Sequence, residues 1–393
     1  MIRQATQIRS MPMKNVSGRR HEYDVIVVGG GTVGAAIGYG LAGMNRRVLM
    51  LDGADTDFRA AKANFGLVWV HGKGLGHPAY QRLSIQSAQA WTEFAKQLEE
   101  ESGIHLAYEC KGGLDFCLSD DEFVSCTAEI DAWNAQTPEL AHSAHMLNRD
   151  ELQRRFPSLC LGEEVVGASF GDLDGHVNPL RLLVALQTAY LRRGGELRNN
   201  CAVTAIKPLP GGGFEVVAGD CRMRTERVVI AAGLGSSVLA PMVGLEAPVR
   251  PQRGQLLVTE RWAPLLPVPA SGLRQTEEGT FMIGVTHEEV GYELDTTIEG
   301  AVRMARRALR ILPVLAKAKL VRQWSALRIM TPDGNPVYAS SVIHPGADIV
   351  LCHSGVTLAA FHAGVYARAI ADGMLPTTLD IFHYERFNVQ KTL

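Results

Sequence analysis

The stretch from Tyr23 to Asp52, YDVIVVGGGTVGAAIGYGLAGMNRRVLMLD, constrains this chain more than any other. Val25 to Val28 are uninterruptedly apolar, which suits a strand buried on both faces of a parallel sheet. Gly29, Gly31 and Gly34 then hold the G-x-G-x-x-G spacing, followed by a helix-compatible segment and a second apolar strand that runs into Asp52. The first glycine permits the tight turn, the second lets a pyrophosphate approach the backbone, and the third lets helix pack on strand. The N-terminus of the following helix offers free N–H groups and a positive dipole end to phosphates. Asp52 is placed to accept a hydrogen bond from a ribose. A glycine turn alone is a weak signal, but with both strands and the acid it predicts a dinucleotide-binding βαβ unit. A glycine turn in some other α/β sheet would leave Asp52 without a reason.

A chain of 393 residues is too long for one ordinary core, so two domains are expected. The formal net charge of −2 gives no electrostatic case for nucleic acid. A mean hydropathy near zero with 46% hydrophobic residues fits a well-packed protein rather than a disordered one. No window approaches the uninterrupted apolar length of a membrane span. The 7 cysteines are scattered without a C-x-x-C pair, so iron–sulfur and structural zinc sites find no support within the chain, and a reducing, cytoplasmic setting is expected. Residues 1–22 hold five basic residues (Arg3, Arg9, Lys14, Arg19, Arg20) and one acid, Glu22; a disordered leader over 1–21, or a late true start at Met13, is expected rather than a transit peptide.

Along the chain, periodicity predicts helices from Tyr80 to about Glu101, from Asp120 to about Ala135 and from Asp150 to Phe156, the last stopped by Pro157, with strand-like pieces between His105 and Leu118. A long helix should start near Pro179 and end at Gly194-Gly195, and strands should follow at Ala202–Lys207, Phe214–Ala218 and Arg227–Ala231. β-like segments occupy about 247–295, and a basic helix runs from about Ile298 to Leu312. The chain closes on a strand (Asp348 to Cys352), a turn at His353-Ser354-Gly355, and a helix from about Thr357 to Asp372. The fold class read from this order is α/β: a doubly wound Rossmann-type domain interleaved with an antiparallel-sheet domain. The first is expected over 22–80, 150–240 and 327–390, the second over 81–149 and 241–326.

Three motifs, VVIAAGLGS (228–236), LRIMTPDGNPVY (327–338) and CHSGVTLAA (352–360), resemble the FAD-dependent amino acid oxidase family, which includes glycine, sarcosine and D-amino acid oxidases and related dehydrogenases. The landmarks match in order from about Glu22 to Phe387. Within the family, ANFGLVWVHGKG (63–74) and the RGQ at Arg253 to Gln255 are most similar to the flavin subunits of bacterial opine and hydroxyproline dehydrogenases and of hydrogen cyanide synthase. That resemblance implies FAD as cofactor and a larger assembly whose partner subunits carry iron–sulfur clusters. Sarcosine oxidases tether their flavin through a cysteine shortly before the T-P-D turn; residues 324–330 here read WSALRIM, so non-covalent FAD is expected.

The resemblance carries roles to particular residues. Asn64 and Gly66 are expected at the isoalloxazine or ribityl chain, Val203 at the adenine through its backbone, and Gly233 beside the pyrophosphate. Gly355, Val356, Thr357 and Leu358 could offer backbone N–H groups to the flavin pyrimidine oxygens, where a dipole end stabilises negative charge. Arg328 matches the arginine that holds the substrate carboxylate, a task suited to a planar, bidentate fork. His71 and Lys73 should pass near the flavin ring, where His71 could take a proton or order water, with plain loop packing as the competing reading. His353 is read as structural or flavin-contacting, while His287 and Tyr292 are expected at the surface. The basic segment Arg303 to Arg310 is a solvated helix face or a docking surface for an acidic partner.

The activity expected is oxidation of the C–N bond of a small amino acid or N-substituted amino acid to an imine. Two rivals stay open: oxidation of a 2-hydroxy acid, and a flavin-carrying electron-transfer subunit without turnover of its own.

Overall fold

The strand Tyr23–Val28, which holds the apolar run, lies at the centre of an eight-stranded sheet, between Val48–Leu51 and the C-terminal half of Cys221–Ile230, parallel to both. A computed structural model describes residues 22–53, 60–140 and 144–388. The leader expected over 1–21 lies outside the described residues, as do residues 389–390 at the end of the last flavin-domain segment. The parallel layer extends through Glu196–Arg198 on one side and Ala347–Leu351 on the other, and Val337–Ser340 closes that edge antiparallel.

Side-chain alternation sends the two halves of the central strand into two cores. Val25 and Val27 face the helices Thr32–Ala42, Pro78–Ser102 and Pro179–Arg192, burying Ile37, Trp91, Leu182 and Tyr190. Ile26 and Val28 face the antiparallel strands Ala205–Pro208 and Phe214–Ala218 and short helical turns, with Phe214, Val216, Ala240 and Val243 buried there. The long helix Pro179–Arg192 starts with Pro in its first turn, as its sequence predicts, and Asn178 adds a side-chain cap.

A second group of sheets carries the remaining core. Strands Arg250–Arg261, Leu273–Gln275, Thr280–Gly284 and Leu320–Met330 form an antiparallel four-stranded sheet. Gly113–Cys117, Ala144–Asn148 and Gly167–Gly171 form a three-stranded one, joined to the first through a bridge between Leu114 and Ala270. The helix Ile298–Ile311 lays Met304, Ala308 and Ile311 against this layer, beside Leu257, Phe281 and Ile283.

The outer face of that helix is paired within the chain: Arg303 with Glu288, Arg307 with Glu122 and Arg310 with Glu164. Only Gly113–Cys117 of the segment from His105 to Leu118 is a strand. The C-terminal helix is regular only over Ala359–Phe361 and Ala367–Asp372, with a π-turn at His362–Tyr366. Its backbone there meets the first helix, where a Cβ on Gly40 would stand 2.1 Å from the Ala363 carbonyl oxygen. Among the described residues no helix is long and apolar enough to cross a membrane.

Candidate active site

Two cavities share a wall between the parallel sheet and the antiparallel one. The first, about 590 Å³, follows the glycine turn: Gly29, Gly31, Asp52, Val203, Gly233, Gly355 and Val356 all line it. Gly29 takes a φ of +110°, which a side chain would strain, and a Cβ there would also collide with the Ala231 carbonyl. Gly34 does not reach the cavity; a Cβ on it would lie 1.9 Å from the Gly29 oxygen, so its role is helix-on-strand packing. Gly31 differs from both, because among the described residues a Cβ there would meet nothing nearer than Ala61 at 3.8 Å.

The first helix begins at Thr32 with no side-chain cap and no acid in its first turn, whereas Ser119, Asn148, Asn178 and Thr297 cap four other helices. Among the described residues its first-turn amides therefore lack the side-chain partner that those four helix starts have, and they face the open space beside Gly31. Asp52 is buried and accepts the Gly30 N–H at 3.1 Å, which sets the acid at the lip of the turn. An uncapped helix start, a glycine with room in front of it and a buried acid fit a flavin adenine dinucleotide. Gly31, the first turn of the helix and Asp52 would hold its pyrophosphate and ribose, with Val203 and Gly233 along the same cavity.

The second cavity, about 410 Å³, is continuous with the first through Asn64, Ile329, His353 and Val356. Arg328, His287 and Lys73 point into it from three elements, with Trp69 and Thr357 beside them. Arg328 comes from the edge strand Leu320–Met330, opposite Gln252 in the register. Its Nη1 donates to Gln252 Oε1 at 3.4 Å and to the Arg253 carbonyl at 3.3 Å, and among the described residues no carboxylate ion-pairs with it. Burial lowers its pKa, with only partial compensation from Glu288.

Lys73 reaches the floor of the cavity, where its Nζ donates to Ser354 Oγ at 2.8 Å and Thr357 Oγ1 at 3.3 Å. Burial pushes it down to about 8. His353 and His287 are both held neutral: burial, then the nearby Lys73, Arg328 and His287, take His353 down to about 3, and burial with Arg328 lowers His287.

Several sequence expectations change here. His71 does not line either cavity. It is buried with its Nδ1 against Asp174 and its Nε2 3.1 Å from Ser169 Oγ, and Asp174 also accepts the Val70 N–H at 2.6 Å. The residue that the same loop delivers to the cavity is its neighbour Lys73. His287, expected at the surface, is a cavity residue. Gly66 stands behind the lining, its N–H given to Asn64 Oδ1 at 2.6 Å. Leu358 is fully buried and spends its N–H on the Ser354 carbonyl at 3.0 Å, leaving Gly355, Val356 and Thr357 as the members of that turn at the cavities. Tyr292 lies exposed.

A dinucleotide cradle opening onto a chamber walled by a half-buried arginine is the site of a flavin-dependent oxidoreductase. A family model for FAD dependent oxidoreductases, DAO, matches residues 24–369, and the chain belongs to that family. It is 41% identical to an opine oxidase subunit of Agrobacterium tumefaciens (strain Ach5) over 373 residues, 95% of this chain and 100% of that one. It is 27% identical to the hydrogen cyanide synthase subunit HcnC of Pseudomonas aeruginosa, covering 93% of this chain and 96% of that one. Among solved structures, glycine oxidase from Geobacillus kaustophilus superposes with a TM-score of 0.83 at 24% identity, over 95% of this chain and 100% of the other.

Proposed function

We propose that the chain oxidises the C–N bond of an amino acid or N-substituted amino acid, of opine, glycine or proline-derivative type, to an imine that water hydrolyses. The observation that carries this reading is Arg328, a half-buried guanidinium at the chamber wall with no carboxylate partner among the described residues. A cation drawn partly out of water without a counter-charge is costly, and a carboxylated substrate reduces the cost.

Bound FAD supplies the hydride acceptor. The protein's share is to bind, orient and adjust protonation. Arg328 forks onto the substrate carboxylate and so fixes the neighbouring α-carbon. Arg328 and Lys73 together disfavour a third positive charge in the chamber, which lowers the pKa of a bound ammonium and leaves the nitrogen lone pair free. His287 and His353, kept neutral, add no further charge to the chamber.

In this reading segments 22–80, 150–240 and 327–390 serve as the flavin-binding domain, and 81–149 and 241–326 as the substrate domain. Two of the relatives are themselves parts of larger enzymes, an opine oxidase and a hydrogen cyanide synthase. That supports a role as the flavin-bearing subunit of a dehydrogenase whose partners carry iron–sulfur clusters.

Anaerobic titration of the yellow holoenzyme with amino acids, N-substituted amino acids and the matching 2-hydroxy acids tests the reading. Bleaching by an amine and not by its hydroxyl analogue is expected, with slow return of colour in air. Bleaching by the hydroxy acid alone would replace the amine substrate, and no bleaching by either would leave an electron-transfer subunit.

A further inference from the structure

We propose that Lys73 is a second carboxylate anchor in the chamber, the residue that would hold the further carboxylate an opine-type substrate carries beyond its amine; this rests on the amine-oxidising reading above. The chamber holds two cations on different elements, Arg328 on the strand Leu320–Met330 and Lys73 on the loop after Leu67–Val68. Among the described residues neither has a carboxylate within ion-pair distance. The nearest acid to Lys73 in electrostatic terms, Asp174, is already taken by His71 and by the Val70 and His71 amides.

One carboxylate satisfies one of these half-buried cations and leaves the other without a counter-charge once the substrate has displaced the water around it, an arrangement folded proteins avoid. The two cations come from segments far apart in sequence and line one chamber, together with His353, Ser354 and Thr357. A substrate bridging them places its amine between the two anchors. Ser354 and Thr357 fix the Lys73 ammonium through two hydrogen bonds and leave its third donor for a ligand.

The test is the binding of two thioethers, chosen because they carry no oxidisable amine: thiodiacetate, with two carboxylates, and (methylthio)acetate, with one. Dissociation constants are read from the flavin difference spectrum of the full-length holoenzyme. The wild type is expected to bind the diacid roughly ten- to a hundredfold more tightly, the worth of one charge-assisted hydrogen bond. K73R should keep that ratio, and K73M should bring it close to one, with K73Q read in the same way if methionine is not accommodated.

A wild-type ratio near one, or a ratio that survives in K73M, overturns the proposal. So does a K73M variant whose ratio is intact but whose flavin midpoint potential falls, which would make Lys73 a counter-charge to the flavin instead. The binding comparison needs no turnover. A failure of the amine reading, seen as no bleaching by any amine, is therefore distinguishable from a failure of the second anchor.

Discussion

The guanidinium of Arg328 lies against the α-carbon of Gly254 on the neighbouring strand: a Cβ at position 254 would stand 2.5 Å from Nη2 and 2.7 Å from Cζ. What such a methyl meets is the end of a long side chain, so the cheapest response is for the guanidinium to move and the backbone to stay. Gly254→Ala is therefore expected to leave the thermal midpoint nearly unchanged while raising KM for carboxylated substrates roughly tenfold, since a fork displaced by a fraction of an ångström loses its bidentate geometry. A KM equal to wild type would show that the Arg328 head group is not the anchor.

Removing the fork itself has a larger effect. Two charge-assisted hydrogen bonds, each worth roughly 1.5–3 kcal/mol, put the expected fall in kcat/KM for Arg328→Leu at about a hundredfold or more. Steady-state kinetics on the best amine substrate measures it. A raised KM is the required component, and an unchanged KM would remove Arg328 from the site.

The pair of His71 and Asp174 makes a prediction about stability and pH. Burial acts to lower the His71 pKa, but the adjoining Asp174 carboxylate outweighs it and the net shift is upward. A group raised on folding contributes stability that is fully present below its unfolded value, about 6.5, and is lost as pH rises through the folded value. The denaturation midpoint of His71→Gln should therefore lie furthest below wild type under pH 6.5, and the gap should narrow toward alkaline pH. A gap independent of pH would mean that the imidazole is not charged in the folded protein.

The fingerprint was legible because a phosphate-binding turn is local: Gly29, Gly31 and Gly34 act within a few residues of one another, and the strand that ends on Asp52 follows directly. The same holds for the long helices, where Pro179 with Asn178, or Ser119 before Asp120, mark a start by chemistry that needs no distant partner. The chamber was less legible because its walls come from sequence-distant segments. His287 looked like a surface histidine until the sheet brought it beside Arg328. His71 and Lys73 sit two positions apart on one loop, and only the Asp174 carboxylate, which claims the histidine, decides which of them faces the cavity. The strand Leu320–Met330 lacks clean alternation because it is an edge strand whose residues are mostly half-buried. Leu358 illustrates the same limit: which N–H groups of a turn remain free depends on the Ser354 carbonyl one turn earlier.

Lys73 gives the chamber its own pH dependence. Burial holds it at about 8 despite nearby Cys352 and Asp174, which act in the opposite direction. If its ammonium binds a second carboxylate, the preference for a diacid over a monoacid should be full at pH 7 and decline as pH rises past about 8, with the bound carboxylate itself pushing the midpoint upward. K73R, which stays charged throughout, should show no such decline. The thioether pair measured from pH 6.5 to 9.5 gives both curves, and identical profiles for wild type and K73R would exclude Lys73 as the titrating group.

The glycine turn separates a folding role from a cofactor role at positions three residues apart. A methyl on Gly34 would overlap the Gly29 carbonyl oxygen at 1.9 Å, a contact between two backbone segments that cannot relax without parting helix from strand. Gly34→Ala should therefore cost stability whether or not flavin is present, seen as a lowered thermal midpoint of the apoprotein. Among the described residues a methyl on Gly31 meets no atom closer than 3.8 Å, and it points where a pyrophosphate would approach the uncapped first turn. Gly31→Ala should fold with an apoprotein midpoint close to wild type and yet lose FAD affinity by roughly tenfold or more, since the phosphates must back away from the first-turn amides. Flavin released on acid precipitation, expected in full from the wild type because no cysteine occupies residues 324–330, gives the bound fraction directly. Equal FAD content in Gly31→Ala and wild type at limiting flavin would place the pyrophosphate elsewhere in the cavity.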